Sequence, residues 1–290
     1  MAVYTPLADA DVDALLRDYD LGRLDRLEGI LAGVENSNFH LYTERGRWIL
    51  TVFERRVREK DLPYFLSLVD HVARRGVRSP APVARRGGGF IGRIAGKPCV
   101  ISTYLPGEAR MSPDEAECEA AGAALAALHD AASDFPQARA NDLSLQGWKH
   151  LAAACGVDAD RCGPGLAALI ADEIAFLGSR WPRDLPGGAC HLDLFPDNVF
   201  FSGASVSGVI DFYFAATDAY AYDLAVAALA FASDKGRLDR RRVDAVLYGY
   251  TNARDMSVKE MFAMHVLMRG AATRFLLTRL YDWLNRVEGA

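Results

Sequence analysis

Short segments in which hydrophobic and polar residues alternate fill the chain between residues 24 and 105. Period-two alternation bounded by turn residues predicts β-strands. Glu44-Arg45-Gly46 separates two of these segments and predicts a short hairpin turn. The predicted strands are residues 28–33, 38–43, 47–54, 89–94 and 98–104. We therefore expect an antiparallel sheet in this part of the chain.

One helix interrupts the predicted sheet. Apolar residues recur at helical spacing from Leu62 to Val72, Asp61 stands where an N-cap is expected, and Gly76 supplies a stop. From residue 112 onward helical periodicity dominates. Ser112-Pro113-Asp114-Glu115 predicts a helix start with a proline and a capping box, and this helix runs to about His129. Further helices are predicted at residues 164–179, 221–232, 239–253 and 258–284.

The change of pattern near residue 105 predicts two lobes, residues 1–105 and 106–290, and an α+β fold class. Hydrophobic residues make up 51% of the 290, which is enough for a large core and excludes disorder as the dominant state. The net charge of −5 comes from interspersed residues, which argues against nucleic acid as a partner.

Membrane insertion and export are also not expected. The longest apolar run, residues 224–232, is far shorter than the roughly 20 residues of a membrane span. The first residues have neither the basic nor the apolar region of a secretory signal. The five cysteines form no CxxC pair and are interpreted as ordinary thiols. A cytoplasmic protein is expected.

The densest group of chemically unusual residues lies between 190 and 212. Two strands, about 198–201 and 206–210, are predicted around a short turn, with Asp193, Asn198 and Asp211 at the same end of the ribbon. Oxygen donors of this kind suit Mg²⁺, and phosphoryl transfer uses a carboxylate to orient the attacking hydroxyl together with Asn and Asp ligands for the metal. The spacing H-x-D-x-x-x-x-N is more specific than any of its members.

These segments, HLDLFPDN (191–198) and VIDF (209–212), resemble the aminoglycoside phosphotransferase and choline kinase superfamily, which shares the protein kinase fold. Further segments resemble its bacterial type II homoserine kinases: GVENSNF (33–39), WILTVFERRV (48–57), LPYFLSLVDHVARRG (62–76), FPQARANDLS (135–144), GVIDFYFAATDAYAYDLA (208–225) and RGAATRFLLTRLYDWLN (269–285). The resemblance implies a bilobal kinase-like domain with a small antiparallel-sheet lobe and a larger, mainly helical lobe.

The resemblance also implies the reaction and the catalytic residues. The γ-phosphate of ATP is transferred to the side-chain hydroxyl of L-homoserine, a step of threonine biosynthesis. Asp193 would orient the hydroxyl or accept its proton, and His191 would brace the loop. Asn198 and Asp211 would hold Mg²⁺. Asp223 matches a position that supports the catalytic loop, although it also fits the N-cap of a helix beginning at Leu224.

The nucleotide side is less orthodox. A turn with a single glycine, residues 33–38, replaces a glycine-rich loop, so Asn36, Ser37 and Asn38 are the candidate phosphate donors. Thr51 stands where many relatives have a basic residue, and Phe65 stands where its Glu partner is expected. Phosphate charge could come instead from a basic run. The members of that run are Arg55, Arg56, Arg58 and Lys60. Backbone groups at Thr103 and Leu105 are the candidates for adenine.

L-Homoserine is a zwitterion, so its site needs a cation or amide donors and an acidic group. Tyr213, Asp218 and Arg274 are the selected candidates. Arg269, Arg274 and Arg279 are five residues apart and cannot all face one pocket on a helix. Two other functions stay open. One is a phosphotransferase of the same fold acting on choline, an aminoglycoside or another alcohol. The other, suggested by Thr51 and Phe65, is a nucleotide-binding pseudokinase.

Overall fold

The computed structural model describes residues 4–31, 36–54, 57–234 and 236–286. Residues 33–35 of the predicted phosphate turn, and Arg55 and Arg56, lie outside these ranges. The chain folds into two compact units. Unit 1 comprises Met1–Ala109 and Val199–Tyr213, and unit 2 comprises Arg110–Asn198 and Phe214–Ala290. The hairpin at 199–213 thus groups with the N-terminal residues, whereas the functional lobes 1–105 and 106–290 stay a prediction.

In chain order the elements are α1 (Asp9–Leu16), β1 (Leu24–Gly29), β2 (Ser37–Thr43), β3 (Gly46–Val52), α2 (Leu62–Arg74), β4 (Gly92–Ile94), β5 (Lys97–Thr103), β6 (Glu108–Ala109), α3 (Glu115–Ala131), α4 (Leu145–Cys155), α5 (Leu166–Arg180), β7 (Gly187–Cys190), β8 (Val199–Ser202), β9 (Ser205–Val209), β10 (Ala216–Ala219), α6 (Tyr220–Ala232), β11 (Ser233–Asp234), β12 (Arg237–Leu238), α7 (Arg240–Ala253) and α8 (Val258–Leu284).

Unit 1 contains an antiparallel sheet with the strand order β1-β2-β3-β5-β4. Its two faces differ, because successive side chains of a strand point to opposite sides. On one face Phe39 and Leu41 pack with Leu15 of α1 in an apolar cluster. The register places Ser37 opposite Val52, and Val52 opposite Cys99, on this α1 face.

The opposite face of the sheet carries the alternate residues. Asn38 pairs with Thr51, and Thr51 pairs with Val100. We call this the Thr51 face.

The hairpin β8–β9 also belongs to unit 1, where β6 adds a third strand in the order β6-β8-β9. Asp211 follows β9 and has a left-handed backbone with φ 64°.

Unit 2 is built from helices around α6. All thirteen residues of α6 are buried, which explains why its sequence is almost entirely apolar apart from Asp223. α3 and α7 approach closely because Gly122 and Gly249 lack side chains. A Cβ at Gly122 would lie 2.1 Å from the Val246 carbonyl oxygen, and one at Gly249 would lie 1.9 Å from that of Glu119. Within the described ranges, no helix combines the length and apolar character needed to cross a bilayer.

The predicted α+β class with an antiparallel sheet and a helical part is confirmed. The boundaries of α2 and α8 match closely, but three details were wrong. β1 lies at Leu24–Gly29 rather than 28–33, since exposed Leu31 lies beyond it. The capping box of α3 is formed by Asp114 with Glu117, so Pro113 precedes the cap. α1, α4, β7 and β10 were not predicted.

Candidate functional site

The loop between β7 and β8 carries the H-x-D-x-x-x-x-N residues. Leu192, directly before Asp193, has φ 61° and is buried. A left-handed backbone at a branched residue costs free energy and persists only where its surroundings fix it. Two charged side chains of unit 2, Asp223 and Arg274, do this here. Their contacts determine where Asp193 points.

Asp223 binds the backbone of this loop from α6. Its carboxylate accepts hydrogen bonds from the His191 N–H at 2.7 Å and the Leu192 N–H at 2.8 Å. The side chain is completely buried. Burial raises the pKa of Asp223, but hydrogen bonding and charge from His129, with the Leu192 N–H, outweigh it and hold that pKa below its usual value. Because α6 begins at Tyr220, Asp223 lies inside the helix, and the alternative N-cap interpretation was wrong.

Asp223 is also held by a buried chain of hydrogen bonds that runs through His129 and Tyr250. His129 of α3 lies 3.0 Å from Asp223 through Nε2 and 2.8 Å from the Tyr250 hydroxyl through Nδ1. Arg254 Nη1 donates to the same Tyr250 hydroxyl at 3.5 Å. Buried polar groups that are all satisfied form rigid networks. The α6 carboxylate that binds the loop is therefore fixed by residues of α3 and α7 and by Arg254, which follows α7.

Arg274 of α8 binds the other side of the loop. Its Nη1 donates to the Leu192 carbonyl, and its Nη2 donates to Asp193 Oδ1 at 2.9 Å. The guanidinium is nearly inaccessible, with 4% of its side chain exposed, whereas Asp193 retains 19%. A planar guanidinium that meets a carbonyl and a carboxylate together fixes direction as well as charge. The structure thus pairs Arg274, predicted as a substrate ligand, with the carboxylate predicted to be catalytic.

Asn198 and His191 complete the loop. Asn198 Nδ2 donates to the Asp193 carbonyl at 2.9 Å and lies 3.5 Å from Asp193 Oδ2. Since the amide nitrogen bonds back to the loop, the Asn198 oxygen is the atom left to face a ligand. The Asp193 N–H donates to His191 Nδ1 at 3.2 Å. Val199 and Val209 pair in the β8–β9 hairpin that follows, while the predicted convergence of Asp193, Asn198 and Asp211 stays a prediction.

Asp218, the second substrate candidate, lies in β10 beside β7. Its Oδ2 accepts a hydrogen bond from Asn141 Nδ2 and its Oδ1 one from the Ala219 N–H, both at 2.7 Å. Burial raises the pKa of Asp218, and these two hydrogen bonds partly oppose the shift. As a residue, Asp218 is half-buried. Asp218 and Arg274 lie in unit 2, as Asp193 does, whereas Tyr213 lies in unit 1.

The polar residues of unit 1 are largely bonded to one another. On the α1 face the Ser37 hydroxyl donates to Glu54 Oε1 at 2.7 Å and accepts the N–H groups of Tyr4 and Thr5. Lys97 Nζ pairs with Glu54 Oε2. The one hydroxyl proton of Ser37 is therefore engaged, so the predicted donation from this side chain to a phosphate is not available in this structure. Unit 1 does contain a Lys–Glu pair, on the face opposite Thr51.

The Thr51 face uses other partners. The Thr51 hydroxyl donates to Asn38 Oδ1 at 2.7 Å, and Asn36 Oδ1 accepts from the Glu54 N–H at 3.3 Å. The nucleotide contacts predicted for Thr51, Asn36 and Asn38 stay predictions. The hydrogen bonds above leave the amide nitrogens of Asn36 and Asn38 as donors for a ligand. Arg58 of the basic run pairs with Asp61 at 2.8 Å, and Lys60 is exposed.

Phe65, at the position expected for the Glu partner, packs edge-on against Tyr213 with 5.9 Å between the ring centroids. Tyr213 also meets Phe53 at 5.2 Å, so its ring fills an apolar contact inside unit 1. Its predicted contact with substrate stays a prediction. The Thr103 N–H donates to the Ala81 carbonyl at 3.0 Å, and Leu105 packs against Gly208. Thr103 therefore does not offer this N–H to adenine in this structure.

Comparisons with known proteins place this geometry in a family. The phosphotransferase enzyme family matches residues 26–256. The homoserine kinase of Methylorubrum populi is 50% identical and that of Methylocella silvestris 51% identical, each match covering 100% of this chain and 91% of the relative. The chain belongs to the homoserine kinase group of the phosphotransferase enzyme family. The resemblance drawn from the sequence motifs is confirmed.

Solved structures agree on the fold of this family. An aminoglycoside phosphotransferase from Alicyclobacillus acidocaldarius superposes with a TM-score of 0.70 at 17% identity, covering 98% of this chain and 89% of that one. At that identity the likeness concerns architecture alone. The kinase-like α+β fold expected from the motifs is confirmed.

Several site residues of this family member were missed from the sequence. His129 and Asn141 contact the predicted residues Asp223 and Asp218, which are far away along the chain. Lys97 pairs with Glu54, which was not predicted either. A local signal existed only for His129, a polar residue on the apolar inner face of α3. His129, Cys190 and Asp223 have ligand atoms within 4.8 Å of one another. His129 already bonds Asp223, and burial raises the pKa of the Cys190 thiol far above its ordinary value, so we assign this cluster to structural support.

Proposed function

We propose that the chain is an ATP-dependent homoserine kinase that phosphorylates the side-chain hydroxyl of L-homoserine to O-phospho-L-homoserine in threonine biosynthesis. Two homoserine kinases match it over its whole length at about half identity. The observation that carries the proposal is the fixed, partly exposed carboxylate of Asp193. Asp193 is oriented by Arg274 and Asn198, in the loop that a phosphotransferase uses to direct an alcohol.

In the proposed reaction the hydroxyl oxygen of L-homoserine attacks the γ-phosphorus of ATP, and the bond to the bridging oxygen of ADP breaks. Asp193 orients the hydroxyl and accepts its proton. Phosphoryl transfer has a loose transition state, so positioning contributes more than basicity. Arg274 and Asp223 supply that positioning by fixing the backbone of Leu192, the residue directly before Asp193. Asn36, Asn38 and the backbone at Thr103 and Leu105 stay the proposed contacts for ATP, whereas the predicted contact from Thr51 is not proposed, because its hydroxyl is engaged with Asn38.

Magnesium is the metal that the donor set fits. The Asn198 amide oxygen and the Asp211 carboxylate are hard oxygen ligands, which Mg²⁺ prefers, and the Asn198 nitrogen is already turned toward Asp193. When bound, the ion would neutralise the charge of the transferred phosphate. Cys99, Cys118, Cys155 and Cys190 are buried free thiols, and Cys162 is an exposed one. Free thiols persist under reducing conditions, which supports our proposal of a cytoplasmic enzyme.

One assay tests the proposal against its alternatives. The protein is incubated with ATP, Mg²⁺ and a panel of alcohols that includes L-homoserine, choline and an aminoglycoside, and ADP release is measured. We expect release with L-homoserine and identify the product by mass. Release with choline alone would replace the proposed substrate. ATP binding without release for any acceptor would indicate a pseudokinase.

A further inference from the structure

Asp218 in unit 2 is a largely buried carboxylate with no ion-pair partner among the described residues. Its two hydrogen bonds come from neutral groups, the Asn141 amide and the Ala219 N–H. Removing a carboxylate from water without a counter-charge costs free energy. As a residue, Asp218 is half-buried and is not sealed from solvent. The environment of Asp218 therefore favours a cationic ligand group.

Arg274 links Asp218 to the reactive carboxylate. The guanidinium binds Asp193 at 2.9 Å, and its charge also acts on Asp218. Arg274 thus forms an ion pair with Asp193 and none with Asp218.

We infer that Asp218 binds the α-ammonium group of the amino-acid substrate. The inference rests on the proposed function, which makes the acceptor an amino acid with a side-chain hydroxyl. An ammonium has three N–H donors, and the Asp218 carboxylate has lone pairs beyond the two that Asn141 and Ala219 occupy. Asn141 fixes the orientation of the Asp218 carboxylate, because the Asn141 side-chain oxygen itself accepts a hydrogen bond from the Leu143 N–H at 2.8 Å. Asp193 then meets the hydroxyl at the other end of the substrate.

The test compares L-homoserine with 4-hydroxybutanoate, which lacks the ammonium group, in the wild-type protein and in Asp218→Asn. We expect kcat/KM of the wild type to favour L-homoserine by about 100-fold or more, because a site that pairs a charged group rejects the analogue without it. Asp218→Asn should lose most of this preference through the KM for L-homoserine. Asp142→Asn is the matched control, since Asp142 is an exposed carboxylate on the Asn141 loop, paired with Arg139. The control should keep the preference.

Each outcome separates this inference from the proposed function. An equal kcat/KM of the wild type for L-homoserine and 4-hydroxybutanoate would agree with the proposed kinase function and overturn the ammonium site. This outcome needs no variant. An equal loss on both compounds in Asp218→Asn, with unchanged preference, would assign Asp218 a structural role. Use of 3-aminopropan-1-ol but not L-homoserine would reject the proposed function and keep the ammonium site. No use of either amine would overturn both.

Discussion

The catalytic loop of unit 2 and the Thr51 face of unit 1 handle charge in opposite ways. In the loop, Asp193 receives a direct guanidinium contact from Arg274, and the preceding N–H groups are bound by a buried carboxylate. On the Thr51 face, a hydroxyl and an amide satisfy each other. The Lys97–Glu54 pair of unit 1 lies on the α1 face instead.

This difference indicates that the loop around Asp193 is preorganised by charged contacts and that the Thr51 face is not. Fixed charges around Asp193 orient the carboxylate that we propose directs the substrate hydroxyl, and such preorganised groups lower the cost of reorganisation during the reaction. The Thr51 face is neutral in its described contacts, so in the proposed reaction we expect phosphate charge to be met by magnesium and backbone donors. Asp193 and the residues that contact it should therefore be intolerant of substitution, and the Thr51 face tolerant.

Removal of the Asp193 carboxylate should have the largest effect. Asp193→Asn keeps the shape of the side chain but cannot accept the hydroxyl proton, so we expect kcat to fall by about 1,000-fold. The dissociation constant for ATP, measured by calorimetry, should stay within about threefold of the wild-type value, because binding of the nucleotide does not depend on proton transfer.

Asp197→Asn is the control for this loop, since Asp197 is an exposed carboxylate four residues further on. Its kcat should match the wild type. Substantial turnover by Asp193→Asn would show that another group takes the proton.

Loss of the Asp223 charge should mainly destabilise the fold. Asp223→Asn places an amide N–H against the donors of His191 or His129, and breaking a buried charged contact costs about 3 kcal/mol. Urea unfolding would measure the change in free energy of unfolding. Asp172→Asn on α5 is exposed and should change it by less than about 0.5 kcal/mol. Equal stability of the two variants would contradict the support assigned to Asp223.

The sequence predicted the parts of the site that are local. His191, Asp193 and Asn198 lie within eight residues of one another, and the segment after them alternates as a hairpin should. A motif of this kind needs no knowledge of the rest of the fold. The contacts of Asp223 with the loop were also expected, because the resemblance to a known family supplied its position.

The long-range partners could not be predicted in the same way. Arg274 meets Asp193 across 81 residues and His129 meets Asp223 across 94. Helical spacing shows which face of α8 is buried but not which loop it covers. Arg274 was predicted to bind substrate because it is a cation on a helix thought to line the site. Its contact with Asp193 depends on how α8 packs within unit 2.

Arg274 should affect turnover more than substrate binding. We expect Arg274→Gln to lower kcat by about 30-fold and Arg274→Lys, which keeps the charge but not the two-pronged contact, by about tenfold. The KM for L-homoserine should change little. Steady-state kinetics with both substrates varied would separate the two parameters.

Arg279→Gln, an exposed change on the same helix, is the matched control and should behave as the wild type. A large rise in KM for L-homoserine with unchanged kcat would restore the role in substrate binding predicted from the sequence. Partial rescue by lysine is the feature that a purely structural arginine would not show.

Lys97→Met should lower the free energy of unfolding by about 1 kcal/mol, because the lysine is 39% exposed and solvent screens the pair. Burial raises the pKa of Glu54, but hydrogen bonds from Lys97, Ser37 and Thr5 together lower it below its ordinary value. A depressed pKa stabilises the fold above the unfolded-state pKa, and this contribution disappears as the pH falls through the folded-state value. Unfolding curves should show the difference between wild type and variant near neutral pH and its loss in acid. A difference that is constant with pH would contradict the pairing.

Thr51→Val should have the smallest effect. The hydroxyl donates to Asn38 Oδ1, so its removal costs one partly exposed hydrogen bond, about 0.5 kcal/mol of unfolding free energy. Valine keeps the branched shape that suits β3, and the register with Asn38 and Val100 should be unchanged. The KM for ATP should stay within about twofold, since the Thr51 hydroxyl is already engaged with Asn38. Asn38→Ala, which removes the partner amide instead, is the complementary variant. A rise of tenfold or more in the KM for ATP with Thr51→Val alone would show that the hydroxyl leaves Asn38 to bind phosphate, and the contrast between the two regions would then disappear.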